Sequence, residues 1–294
     1  MLTPESSEIL QLHYKNTDAW RVRNQTHEMY TRPQINFVEW VMKHIALKGD
    51  ERILDVGCGP GRYYDFLQQK HPGVDYVGLD YSAGMMDEHG SDDRLVRAPM
   101  DTLPFPDGAF DIVMANHVVY LAPDVELMLL EARRVLKPGG LFICATNSIT
   151  TMPQFRELFR RAILLVSPPG MSREVKVPAG LHQRFALENG ARMLARHYYA
   201  VVRYDLPSAL EFSEVEPIMD YLESTRATRE PQLPGNVSWD QVMLIMREQL
   251  ANLIATLDKL VVDKLSGVLV ATNGGGFIHE YLTIKEQAEK ADPS

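Results

Sequence analysis

Cysteine is scarce in this chain: Cys58 and Cys144 are the only two among 294 residues. Two thiols build neither a disulfide scaffold nor a cysteine-based metal site, and both are expected as buried thiols in a reducing compartment. Positive charge is also in short supply. The 30 Lys and Arg against 39 Asp and Glu leave a formal net charge of −9 and an isoelectric point near 5.5. A general nucleic-acid binder presents a basic surface, so no nucleic-acid partner is expected. No apolar run approaches the roughly 18 residues that a membrane helix needs, so no membrane insertion is expected. The opening MLTPESSEILQLHYKNTDAW lacks the basic start and apolar core of a secretory leader, which gives a cytosolic reading. Heptads, repeats and low-complexity tracts are missing. So are zinc-spaced His/Cys/Asp groups and any glycine-rich loop closing in Lys-Ser or Lys-Thr, and no metal is expected. The run Gly274-Gly275-Gly276 reads as a flexible turn.

What is present is ample core material. With 45% hydrophobic residues and a mean hydropathy of −0.19, the chain can form one large α/β domain or a core with an elaboration. Short apolar strands (52–55, 75–79, 94–98, 110–115, 141–146) alternate with amphipathic helices. That alternation predicts a parallel sheet covered on both faces. It divides the chain into a helical lid (1–33), a core (34–150), a cap insertion (151–184), a return to the core (185–212), a helical cap elaboration (213–265) and a final strand with tail (266–294). Ser238 with Gln241 reads as a capping box opening a helix to about Val262, and the last strand is expected at Phe277 to Ile284.

The most informative stretch is LDVGCGPGR, Leu54 to Arg62. Gly57, Gly59 and Gly61 follow a strand ending at Asp55 and precede a helix, an arrangement that lets a ligand approach the main chain and the helix N-terminus. Asp55, Asp80, Met100–Asp101 and Asn116–His117 all fall just past strand ends, where ligands bind in doubly wound sheets. Asp80 suits a ribose diol, whose two hydroxyls donate to two carboxylate oxygens; the alternative is a helix cap. Asp101 can accept from an exocyclic purine amine or simply cap a turn. Met85 and Met86 either flank a ring or fill core.

From Leu54 onward the chain resembles the class I S-adenosylmethionine-dependent methyltransferases. LDVGCGPGR, YVGLDYS (76–82), RAPMDTLPFPDGAFDIVMAN (97–116) and EARRVLKPGGLF (131–142) occur in that family's order, over residues 34 to 150. The likeness is to the broad branch acting on small molecules. It implies a Rossmann-like, seven-stranded, mostly parallel sheet with helices on both faces, an antiparallel final strand and a helical cap. It implies S-adenosyl-L-methionine as cofactor and a small-molecule methyl acceptor as partner. It assigns Gly57, Gly59 and Gly61 to the methionine portion with Asp55 nearby, and Asp80 to the ribose with Tyr81 beside it. Met100 and Asp101 fall to the adenine, and Asn116 to closing the pocket; Met85, from its position alone, is a further cofactor-binding candidate.

Relatives often continue past the fourth strand with histidine, aromatic, histidine; NHVVYLAP keeps His117 and Tyr120 but carries Leu121 at the second histidine position. His117 is the leading base candidate, against a packing role, and His182 is a weaker one. Tyr14, Trp20, Tyr30 and Tyr120 are candidate lid or substrate residues, although N-terminal helix aromatics also serve as a packing face. Dinucleotide oxidoreduction is the competing enzyme class, but GCGPG lacks the G-x-G-x-x-G register. A non-catalytic cofactor-binding regulator and a protein methyltransferase stay open as alternatives.

Overall fold

The computed structural model describes residues 14–15, 17–91, 93–167 and 177–274. The core runs β2 (Arg52–Val56), α3 (Arg62–Lys70), β3 (Asp75–Asp80), α4 (Ala83–Met86), β4 (Leu95–Arg97), β5 (Phe110–Met114), α5 (Val125–Val135) and β6 (Leu136–Asn147). Before it come α1 (Asp18–Tyr30), β1 (Thr31–Arg32) and α2 (Phe37–Met42). After it come α6 (Pro153–Val166), α7 (Leu187–Leu194), β7 (Ala200–Phe212), α8 (Glu216–Glu223), α9 (Arg226–Arg229), α10 (Trp239–Leu257) and β8 (Leu260–Thr272).

The sheet order is β1-β7-β8-β6-β5-β2-β3-β4. Pairing is parallel from β4 through β6, whereas β8 lies antiparallel between β6 and β7. The chain leaves β2 toward β3 on one side and returns as β5 on the other, which opens a crevice past their carboxyl ends. Strand pleating sends Leu54 and Val113 into one core with α5 and α7, and Ile53 and Ile112 into the opposite core with α2 and α3.

Two expectations change here. Among the described residues the sheet has eight strands rather than seven, because Thr31 and Arg32 add a short antiparallel edge to β7. The reversed inner strand is Leu260–Thr272, not Phe277 to Ile284, which lies outside the described residues. Accordingly α10 stops at Leu257, and Asp258 takes a left-handed φ of 62° that turns the chain into β8.

The long pair β7–β8 positions the cap. Its register runs from Ala200↔Thr272 to Phe212↔Leu260, while β6 pairs only with Ser266–Thr272. The N-terminal half of β8 therefore projects past the end of β6 as a ribbon with β7, edged by the short β1 at Ala209 and Leu210. On it sits a third apolar core, with Phe155 and Phe159 of α6, Ile218 and Leu222 of α8, and Trp239, Val242 and Met246 of α10 around Phe212 and Val262.

Candidate functional site

The loop after β2 is shaped by its own hydrogen bonds. Gly57 and Cys58 both donate backbone N–H to Leu79 O, at 2.6 and 3.1 Å, which pins the loop to the end of β3. Gly57 has φ 72°, and a Cβ there would lie 2.3 Å from the Val118 side chain. Only glycine meets both demands. Gly61, with φ 88°, starts α3, and the His89 ring fills the place a Cβ would take.

Asp80 sits across from this loop. Its Oδ2 accepts from Gly59 N at 3.0 Å and its Oδ1 from Ser82 N at 2.9 Å. Each oxygen keeps capacity for a further donor. Burial raises this carboxyl above the usual range, and the backbone donors of Ser82, Gly59 and Tyr81 pull it back. Asp55 is only 2% exposed. Burial lifts its carboxyl to about 7, opposed by the hydrogen bond from Tyr76 and reinforced by the charge of Asp80. Tyr76 Oη donates to Asp55 Oδ2 at 3.0 Å and lies 3.4 Å from His89 Nε2, while His89 Nδ1 accepts from Ser91 N at 3.2 Å.

Past β5, Asn116 Oδ1 accepts from Ala145 N at 2.9 Å, and its buried Nδ2 has no partner among the described residues. His117 takes φ 56°, donates its N–H to Ala145 O at 2.8 Å and sets its ring 5.2 Å from that of Phe37. Left-handed backbone at a residue other than glycine concentrates at functional sites. Burial lowers the imidazole to about 4, with further depression from Lys264 and His182. Burial, and then Arg229, likewise lower His182 to about 4.

These groups share one cleft of about 740 Å³. Asp55, Gly57, Gly59, Asp80, Tyr81, Met85 and Met100 line one end. Asn116, His117, Tyr120 and His182 continue its wall, and Tyr14 and Trp20 border it. Three expected residues do not line it. Gly61 turns the chain instead, and Asp101 follows Met100 in a turn and stays off the wall. The Tyr30 ring packs 4.7 Å from that of Phe212 in the cap core, so the structure does not place it as a lid over the cleft.

The structure adds residues that the sequence reading did not single out. His27 of α1, Asn147 at the end of β6, Lys264 and Ser266 of β8, and Tyr221 and Arg229 of the cap all reach the cleft. Ser266 Oγ donates to Asn147 Oδ1 at 2.7 Å, tying the ribbon to the end of β6. Asn147 follows a strand end as Asn116 does, so the same positional rule finds it. Lys264 and Ser266, two apart on one strand face, become visible once 260–272 is read as a strand.

Residues 54–144 match the family described as the methyltransferase domain. The demethylmenaquinone methyltransferase of Staphylococcus haemolyticus is 34% identical over 136 residues, covering 44% of this chain and 56% of the relative. That of Staphylococcus carnosus is 33% identical over 135 residues with the same coverage. This chain thus spans little more than half the length of these relatives. Among solved structures, the YcgJ protein of Bacillus subtilis aligns with TM-score 0.52 at 18% identity, covering 81% of this chain and 98% of that one. The Haemonchus contortus phosphoethanolamine N-methyltransferase 2, solved with phosphomonomethylethanolamine and S-adenosylhomocysteine, aligns with TM-score 0.54 at 15% identity, covering 93% of this chain and 61% of that one. These structures share the fold. Residues 54–144, which hold the glycine loop and the central strands, thus match the methyltransferase domain, and the sheet around them has the fold of these solved structures.

Proposed function

We propose that this protein transfers a methyl group from S-adenosylmethionine to a small organic acceptor held in the cleft. One observation carries the reading: the Gly59–Asp80 cradle opens into the same cap-covered cleft as His117. The residues fit the cofactor. Asp80 keeps acceptor capacity on both oxygens for a diol, Met85 and Met100 offer apolar walls to a ring, and the unpartnered Nδ2 of Asn116 supplies a donor.

When bound, the cofactor supplies a methyl on a sulfonium, so the acceptor lone pair forms the new bond to carbon as the carbon–sulfur pair leaves with sulfur. The protein's work is alignment and exclusion of water. Asp80 holds the ribose end, and the ring of Phe37 and the left-handed backbone fix His117 at the transition from cofactor to acceptor space. A histidine lowered to about 4 is neutral at pH 7. It accepts a hydrogen bond well and a proton weakly, so its first role is to orient the acceptor.

The test is a mass-spectrometric screen of small-molecule acceptors with methyl-labelled S-adenosylmethionine. Label should appear in a small product, and His117→Gln should lower kcat at least tenfold with cofactor affinity changed less than threefold. Cofactor binding without transfer to any small molecule would favour the non-catalytic regulator, and label in protein alone would favour protein methylation.

A further inference from the structure

The protein as a whole is acidic, with a formal charge of −9, yet the far end of the cleft is cationic. Lys264 lines it from the projecting ribbon and Arg229 from the end of α9. Among the described residues Lys264 Nζ donates only to Thr31 Oγ1, at 3.3 Å. The Arg229 guanidinium lies 5.2 Å from the centre of the Phe159 ring. Neither has a carboxylate partner among the described residues, and burial lowers both below their ordinary values, Lys264 to about 8.

The surroundings sharpen this. The acidic side chains of the cleft, Asp55 and Asp80, both belong to the cofactor end. The same wall carries His117, which senses Lys264, His182 and Arg62, and His182, which senses Arg229 and, with the opposite sign, Glu188. The Nε2 of His182 is buried and unpartnered among the described residues. Taking a cation out of water without a counter-charge is costly. A fold that keeps two of them facing one chamber, beside uncharged imidazoles that can donate hydrogen bonds, is arranged to receive negative charge.

We propose that Arg229 and Lys264 form an anion subsite, so that the methyl acceptor bears an anionic oxygen group such as a carboxylate or a phosphate. The inference rests on the methyl-transfer reading and names its substrate class. Arg229 offers a planar fork that suits paired oxygens, and Lys264 a point charge nearer His117. The anion anchors the acceptor at the end remote from Asp80 and leaves its nucleophilic atom toward His117. The basic end also keeps acceptor charge away from Asp55 and Asp80.

The experiment uses the full chain saturated with S-adenosylhomocysteine. Sodium acetate and sodium phosphate are titrated in separate arms at constant ionic strength, balanced with chloride, and followed by the ring resonances of labelled histidines. Saturable displacement of the His117 and His182 signals is expected, in one arm or both, with the stronger arm identifying the carboxylate or phosphate form. Arg229→Gln and Lys264→Met should each weaken the response at least tenfold, whereas Arg229→Lys should retain part of it. Displacements no larger than those with chloride, or equal ones in the variants, overturn the proposal. S-adenosylhomocysteine affinity is measured in every variant and reports separately on fold and cofactor site. A chain that binds no S-adenosylhomocysteine overturns the methyl-transfer reading, whereas normal binding with no anion response overturns only the anion subsite.

Discussion

Asp80 combines two duties that are separable by a single atom. Its carboxylate closes the glycine loop through Gly59 N and the α4 entrance through Ser82 N, and its remaining lone pairs face the cleft. Asp80→Asn keeps the size and one carbonyl oxygen but replaces the other acceptor with a donor aimed at a backbone N–H. Hydrogen bonds to charged groups are worth about 1.5–3 kcal/mol, so S-adenosylhomocysteine affinity should fall roughly 10- to 150-fold by calorimetry. An affinity within twofold of wild type in a folded variant would remove Asp80 from the ribose assignment. The residues legible beforehand share one property: Gly57, Asp80, Met100 and His117 each sit next to a local strand or turn signal. Lys264 and Arg229 do not. Their meaning comes from lacking a carboxylate partner among the described residues, and a lysine in a sequence shows no such lack.

At the scale of elements, the same contrast separates α10 from β8. The capping box was legible because it is local: Ser238 Oγ accepts from Gln241 N at 3.2 Å, and Gln241 Oε1 accepts from Ser238 N at 3.3 Å. Ser238→Ala removes one of those bonds at the start of a 19-residue helix. Chemical denaturation should show a loss of about 1 kcal/mol with an unchanged denaturant slope. Because α10 packs on the cap core and not on the cofactor end, S-adenosylhomocysteine affinity should hold within a factor of two. The strand β8 was not legible for an equally physical reason. Asp263 and Lys264 interrupt its apolar pattern because that half projects beyond β6, where Asp263 N finds no acceptor on β6 and donates instead to Gln154 Oε1 at 3.0 Å. A strand that is half sheet interior and half ribbon has no single periodicity to read.

For the whole molecule, buried ionisable groups set a pH response that runs against the usual picture of surface charge. His27, His44, His117 and His182 are all lowered by burial, His44, His117 and His182 to about 4. Between their unfolded value near 6.5 and about 4, the unfolded chain binds protons that the fold refuses, so these groups stabilise above 6.5 and that stability is lost as pH falls through the window. Asp55, raised to about 7, acts with the opposite sign: its contribution is present below its unfolded value near 3.8 and is lost as pH rises toward about 7. Asp80, also raised by burial, acts with the sign of Asp55; four histidines against two carboxyls still leave a net uptake of protons on unfolding, and each net proton is worth about 1.4 kcal/mol per pH unit. The Tm of the cofactor-free protein should therefore fall steadily from pH 7 to pH 5. Asp55→Asn gives an internal check, because it deletes one opposing group: the variant should gain stability over wild type at pH 8, by an amount that shrinks as pH approaches 5. A flat Tm between pH 7 and 5, or a gain equal at both ends, would show that these buried groups keep enough water to titrate normally. The cleft would then be wetter than its geometry indicates, and its cations less in need of a bound anion.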